Sequence, residues 1–434
     1  MKRIKSVLLL FIVLVTFSCS KKTNDGEIST GMSNTGSPNI LFIIADDLGK
    51  DAINGFSEGS IKPNTPNIDA IRNTGISFSN FWTNPTCTPT RASIITGKYG
   101  YRTGVKGVGD ELSISETTLQ EYISNQTNNE YTSAIVGKWH LSGNNSTINP
   151  ETFGIDYYAG LIRGAVNDYY QWPLSENGTT SQNTEYITEA FTDLSIDWIN
   201  QQSKPWFMWL AYTAPHTPFH APPSNMHSQG NLPTYNNGLD PIPYYMAAIE
   251  AMDFQIGRLL DEIPEDERNN TIIIFIGDNG TPNQVAQSPY SSSKVKSTLY
   301  QGGVNVPMFI SGNSVSRTGI ENNLITSTDL FATISEIAGS STNEINDSKS
   351  FKSLLSQSTN IRDYQYSELA DDTDDEWTIS NGTYKLIVNS VGMEELYNLV
   401  NDPYENNNLL TGTLSSTEQN AKLELETELI NIRN

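Results

Sequence analysis

Five short apolar runs limit most strongly what this chain can fold into: NILFIIA (39–45), TSAIV (132–136), WFMWLAY (206–212), TIIIFI (271–276) and VPMFIS (306–311). Each is too continuous for a strand with one wet face and too short for a typical helix. They read as strands buried on both faces of a sheet. Helical patterns lie between them. Thr65 is placed to cap a helix with Pro66 in its first turn, Ile68 and Ile71 on one side and Gly75 at its end. Tyr244 to Ile263 carries Ile249, Met252, Ile256 and Leu259 at helical spacing. The alternation predicts an α/β sandwich: a large, mostly parallel mixed sheet with helices on both faces.

Polar clusters follow four of the runs: Asp46-Asp47, Gly137-Lys138-Trp139-His140, Ala214-Pro215-His216 and Gly277-Asp278-Asn279. Ligands of open α/β sheets bind beyond the carboxyl ends of the strands, so these clusters are expected on one rim. Each also has a plain reading. Paired aspartates cap helices, Asp278-Asn279-Gly280 suits a turn, His140 suits a packed histidine, and Lys138 and Lys296 suit surface charges.

With 26 Lys+Arg against 49 Asp+Glu the net charge is −23, which argues against nucleic acid and against polybasic attachment to anionic lipid. The start, MKRIKSVLLLFIVLVTFSCSKK, fits a signal peptide over residues 1–18, and Cys19 resembles a bacterial lipidation site, although Thr16 stands where such a box usually has leucine. Residues 19–37 then read as a lipidated tether. The expected location is exported, periplasmic or anchored to the outer membrane, with plain cleavage as the alternative. If Cys19 is lipidated, Cys87 has no disulfide partner and is either an inert small hydrophobe or a chemical group.

The stretch around Cys87 decides between these. Cys87-Thr88-Pro89-Thr90-Arg91, with Thr96-Gly97 behind it, resembles the signature of the formylglycine-dependent sulfatases, members of the alkaline-phosphatase-like superfamily. The resemblance continues through NILFIIADD, TPNID, VGKWHLS, APHTPFHAP, IGDNG and ELYNLVNDPYENNNL in family order. It implies that a formylglycine-generating or sulfatase-maturing enzyme oxidises Cys87 to Cα-formylglycine before folding. In the aldehyde hydrate one hydroxyl attacks sulfur, and deprotonation of the other collapses the hemiacetal and expels sulfate. It also implies a metal site of Asp46, Asp47, Asp278 and Asn279 with residue 87. Oxygen ligands suit Ca²⁺, with Mg²⁺ as a second choice. Arg91 would hydrogen-bond the hydrate, His140 would act as base, Lys138 would bind the ester, and His216 and Lys296 would hold sulfate and protonate the leaving oxygen. Lys296 is preferred to Lys294 because it lies five residues before Gln301-Gly302-Gly303. Gln301, Asn305 and Ser297 depart from the family's usual Glu, Arg and Gly.

The resemblance divides the chain into a catalytic domain, 38–350, and a C-terminal α+β subdomain, 351–434. WTISNGTYKLIVNS reads as two strands around a turn, and Glu418 to Ile432 as a final helix capped by Thr417. ELADDTDDEW (368–377) reads as a solvated loop. The loop GAVNDYYQWPLSENG carries Asp168, Tyr169, Tyr170 and Trp172, which either bind sugar or cover the sheet. The expected substrate is a sulfated poly- or oligosaccharide. The alternatives are a phosphonate monoester or phosphodiester hydrolase with the same site, and a non-catalytic glycan-binding surface lipoprotein.

Overall fold

A computed structural model describes residues 37–144, 148–370 and 375–434. The signal peptide, Cys19 and the tether up to residue 36 lie outside the described residues, as do 371–374 of the acidic run. Among the described residues no helix is long and apolar enough to cross a membrane.

Ten strands form the main sheet: β1 (Asn39–Ala45), β2 (Ile76–Phe78), β3 (Thr132–Lys138), β4 (Tyr157–Leu161), β5 (Trp172–Glu176), β6 (Thr179–Asn183), β7 (Trp206–Ala211), β8 (Thr271–Gly277), β9 (Met308–Gly312) and β10 (Gly319–Glu321). Their order is β10-β2-β9-β8-β1-β7-β3-β4-β5-β6. The central strands β8, β1, β7, β3 and β4 run parallel, and β9 enters antiparallel to β8.

Strand alternation explains why the runs are apolar throughout. Ile40, Phe42 and Ile44 face one core, closed by the helices Cys87–Thr96, Leu119–Gln126 and Asp329–Ile337. Leu41, Ile43 and Ala45 face the other, closed by Pro66–Thr74, Ile187–Ile199 and Ile242–Glu262. Each large side chain fully buried this way contributes ~1.5–3 kcal/mol, which holds the rim rigid.

Two expected caps differ. Thr65 makes no side-chain cap bond. Instead Asp253, on the helix Ile242–Glu262, accepts the N–H groups of Asn67 and Ile68 at 3.1 and 2.7 Å. The final helix, Ser416–Arg433, is capped by Ser415 in a reciprocal capping box with Glu418, not by Thr417.

The C-terminal sheet is antiparallel and consecutive: β11 (Gln365–Ala370), β12 (Asp375–Ser380), β13 (Tyr384–Val388) and β14 (Glu394–Asn398). Leu425 and Leu429 of the final helix pack on its Tyr366, Leu386 and Leu396. The ends of the acidic run are therefore paired strand and not solvated loop. Glu368 is buried and accepts the Tyr101 N–H at 3.0 Å. Phe351, Leu354 and Leu355 belong to the larger core.

Candidate active site

Adjacent strand ends bring the polar clusters together. The Asp46 N–H donates to Ala214 O and the Asp278 N–H to Ala45 O, both at 3.0 Å, so pairing runs past β1, β7 and β8 and sets their following residues side by side. Asp47 and His140 have φ of 70° and 59°. This left-handed backbone is uncommon outside glycine, and here it belongs to two rim side chains. Below the rim Cys87 opens the helix Cys87–Thr96, after Thr86 in extended geometry.

The charged groups interlock in three pairs. Lys138 Nζ donates to Asp46 Oδ2 at 2.5 Å, Lys296 Nζ to Asp47 Oδ2 at 2.6 Å, and an Arg91 guanidinium N–H to Asp278 Oδ2 at 2.8 Å. Arg91 also donates to Lys138 O at 2.7 Å. Asn279 Nδ2 donates to Asp47 Oδ1 at 2.8 Å, and the Asp47 N–H to Asp278 Oδ1 at 3.0 Å. Cys87 Sγ lies 3.3 Å from His140 Nδ1, which Thr88 Oγ1 also approaches to 3.2 Å. His216 Nε2 stands 3.7 Å from Asp47 Oδ2, and its Nδ1 is 2.7 Å from Thr217 O. Asp46, Asp47, Lys138, Asp278 and Asn279 are buried; His216 and Lys296 keep some exposure and form the mouth. Lys294 faces away, donating to Glu405 O with its ammonium over the Tyr300 ring.

Burial pushes the Cys87 thiol up, so the unmodified side chain is a poor thiolate nucleophile. Burial also holds His140 well below the usual histidine range, and Lys138 and Arg91 add to the effect, so its ring is a neutral base. Burial would raise Asp46, but Lys138 leads the cations that outweigh it and keep that carboxylate ionised. Burial, and next the charge of Asp46, raise Asp278, and Arg91 and Lys138 pull it back down.

The leftover acceptors point to a cation. Among the described residues Asp46 Oδ1 and Asn279 Oδ1 are buried without a hydrogen-bond partner, and Asp46, Asp47 and His216 bring ligand atoms within 4.8 Å of one another. Buried, unpaired oxygens are unfavourable, and a hard divalent ion satisfies them. Asp46, Asp47, Asp278 and Asn279 fit such an ion. The Cys87 thiol is a soft ligand and fits it poorly, whereas an oxygen at residue 87 would match.

The loop after β4 behaves differently from a sugar platform. Tyr169 is buried; its hydroxyl donates to Thr213 O and His216 O, and its ring stacks on His220 at 3.7 Å. Trp172 is buried at the start of β5, with Nε1 donating to Glu185 O and its ring edge-on to Phe191. These two side chains are core: Trp172 packs on Phe191 of the helix Ile187–Ile199, and Tyr169 between Tyr186 and His220. Tyr170 is exposed and donates to Ala221 O, and Asp168 accepts the Tyr170 N–H. Two residues escape sequence reading. Thr88, beside the cysteine, touches His140. Gly164 lies so close to the His140 ring that a Cβ there would stand 2.1 Å from Cε1 and Nε2.

A family profile described as Sulfatase matches residues 38–340, and one described as N-sulphoglucosamine sulphohydrolase, C-terminal, matches 295–434. Arylsulfatase G of Mus musculus is 28% identical over 389 residues, covering 76% of this chain and 69% of its own length. N-acetylgalactosamine-6-sulfatase of Homo sapiens is 28% identical over 357 residues, covering 71% and 64%. The chain spans between about half and two thirds of the length of the first curated relatives it matches. The crystal structure of Ps i-CgsB in complex with k-i-k-neocarrahexaose has a TM-score of 0.77 at 25% identity, covering 92% of this chain and 93% of that one.

Proposed function

The chain belongs to the sulfatase family, sulfuric ester hydrolases, and on that footing we propose that it removes O-sulfate from a poly- or oligosaccharide, with formylglycine at residue 87 and a divalent cation. The observation that carries this reading is the meeting of Cys87, His140 and three carboxylate–cation pairs on one rim. The carbohydrate substrate is supported by a relative named for N-acetylgalactosamine and by the oligosaccharide bound to Ps i-CgsB.

A divalent ion held by Asp46, Asp47, Asp278 and Asn279 would supply positive charge against the sulfate oxygens, and a formylglycine hydrate would supply the attacking hydroxyl. The three acids and three bases balance, so added positive charge favours an anionic ester. Arg91 Nε is a buried donor without a partner, free to bond an oxygen at residue 87. His140 Nδ1 faces that residue and takes its proton. Lys138 binds the ester from below. At the mouth Lys296 and His216 hold sulfate, and His216, with Nδ1 tied to Thr217 O, turns Nε2 inward to protonate the leaving oxygen. These reacting residues lie within 38–350, and 351–434 form the smaller subdomain of the proposal. Export to the periplasm or outer membrane through Cys19 belongs to it on the strength of the N-terminal sequence alone.

Mass spectrometry of residue 87, paired with kcat/KM on aryl sulfate and aryl phosphonate esters, tests the reading. The expected result is the aldehyde and a preference for sulfate. Preference for phosphonate would reassign the reaction, and a thiol at residue 87 in protein from the native host, without hydrolysis, would leave only glycan binding.

A further inference from the structure

In a chain of net charge −23, lysines and arginines find partners readily. Among the described residues all but one have a hydrogen bond, ion pair or ring contact, from the deep Lys138 to surface groups such as Lys204, Lys349 and Arg268. Arg163 is exposed and has none.

Its place makes that freedom significant. Residues 161–163 continue β4 alongside 138–140: Leu161 O accepts the Trp139 N–H at 2.9 Å and Ile162 O accepts the His140 N–H at 3.0 Å. Gly164, one ~3.8 Å Cα step onward, lies over the face of the His140 ring. The Nδ1 corner of that ring faces Cys87. Arg163 also borders a cavity of about 370 Å³ walled by Asn149, Leu161, Pro173, Ser175 and Thr180. That volume suits a small ligand fragment such as a sugar. The cations for the ester under attack, Lys138 and Lys296, are already committed to Asp46 and Asp47. An unpaired guanidinium one residue from the Gly164–His140 contact, bordering its own cavity, addresses a different charge.

We propose that Arg163 and this cavity form a subsite for a second anionic substituent of the substrate, a carboxylate or another sulfate ester, on the sugar chain beyond the reacting position. Its planar fork matches both oxyanions. The proposal rests on the sulfatase reading for the identity of the chain and names the further charge it selects.

The test uses the full chain carrying Cys87→Ala, so that ligands bind without turnover. Calorimetry compares oligosaccharides with one sulfate per disaccharide, one sulfate plus a uronate, and two sulfates. Arg163→Gln should lower the preference for the doubly charged ligands by about tenfold, the effect of one partly exposed charged hydrogen bond. Arg163→Lys should restore part of it, and added salt should erode the preference only while the cation is present. The two doubly charged ligands tell whether uronate or sulfate is read. An unchanged preference in Arg163→Gln, or no preference in the parent, overturns the subsite. Aryl sulfate hydrolysis by the unmutated chain is read separately: its failure alongside an Arg163-dependent preference would sink the sulfatase reading and leave the subsite standing.

Discussion

Replacing Gly164 by alanine should disable the base without unfolding the protein. The new Cβ would stand 2.1 Å from both Cε1 and Nε2 of His140 and 2.5 Å from Nδ1. Ordinary contact begins near 3.4 Å, so the ring must retreat by more than 1 Å. It has little room for this. Cys87 and Thr88 hold Nδ1 at 3.3 and 3.2 Å, the backbone N–H is bonded to Ile162 O, and the residue is buried with φ at 59°. A displacement of about 1 Å in a catalytic group lowers rate on the order of 100-fold. Overpacking of this kind destabilises by ~1–3 kcal/mol, which a domain of this size tolerates. The assay is kcat/KM on an aryl sulfate, with thermal melting and mass spectrometry of residue 87 to verify fold and maturation. A Gly164→Ala protein that is folded, matured and within twofold of the parent would refute the assignment of His140 as a tightly positioned base.

Chelation of divalent ions should abolish hydrolysis and lower the melting temperature, with Ca²⁺ restoring both in a concentration-dependent way; a melt insensitive to chelator and Ca²⁺ would count against the cation site. Lys296→Met should lose activity by orders of magnitude, whereas Lys294→Met should mainly lower stability by ~1–2 kcal/mol through its lost bond to Glu405 O and its Tyr300 contact; the reverse pattern in kinetics would exchange the two roles. His220 gives a pH signature. Burial holds it at about 4, below an unfolded value near 6.5, while its ring stacks on Tyr169 and Nε2 meets the Tyr186 hydroxyl. The unfolded chain therefore binds the extra proton between those values, and stability present above pH 6.5 is lost as pH falls toward 4, by about 3 kcal/mol. Urea unfolding of His220→Gln should show a flatter dependence over that window, and an unchanged slope would remove His220 as its source.

The sequence determined the sheet and the polar clusters at its strand ends. Runs apolar at both odd and even positions, and too short for a typical helix, read as strands covered twice, as Ile40 and Leu41 illustrate by facing different cores. Short-range order also fixed the helix that begins at Cys87, because extended Thr86, Pro89 in the first turn and Gly97 at its end act within one stretch of chain. The tertiary structure alone decided which aromatics of the loop after β4 are buried. Tyr169 and Trp172 look like their exposed neighbour Tyr170 until Trp172 meets Phe191 and Tyr169 meets His220. It also replaced Thr65 by Asp253 as the effective cap of a helix almost two hundred residues earlier. It paired Asp47 with Lys296, left Arg163 free beside that rim, and set Gly164 under His140. Periodicity and capping are written in neighbours along the chain. Steric contact and charge pairing depend on distances between residues that only the folded sheet brings within reach.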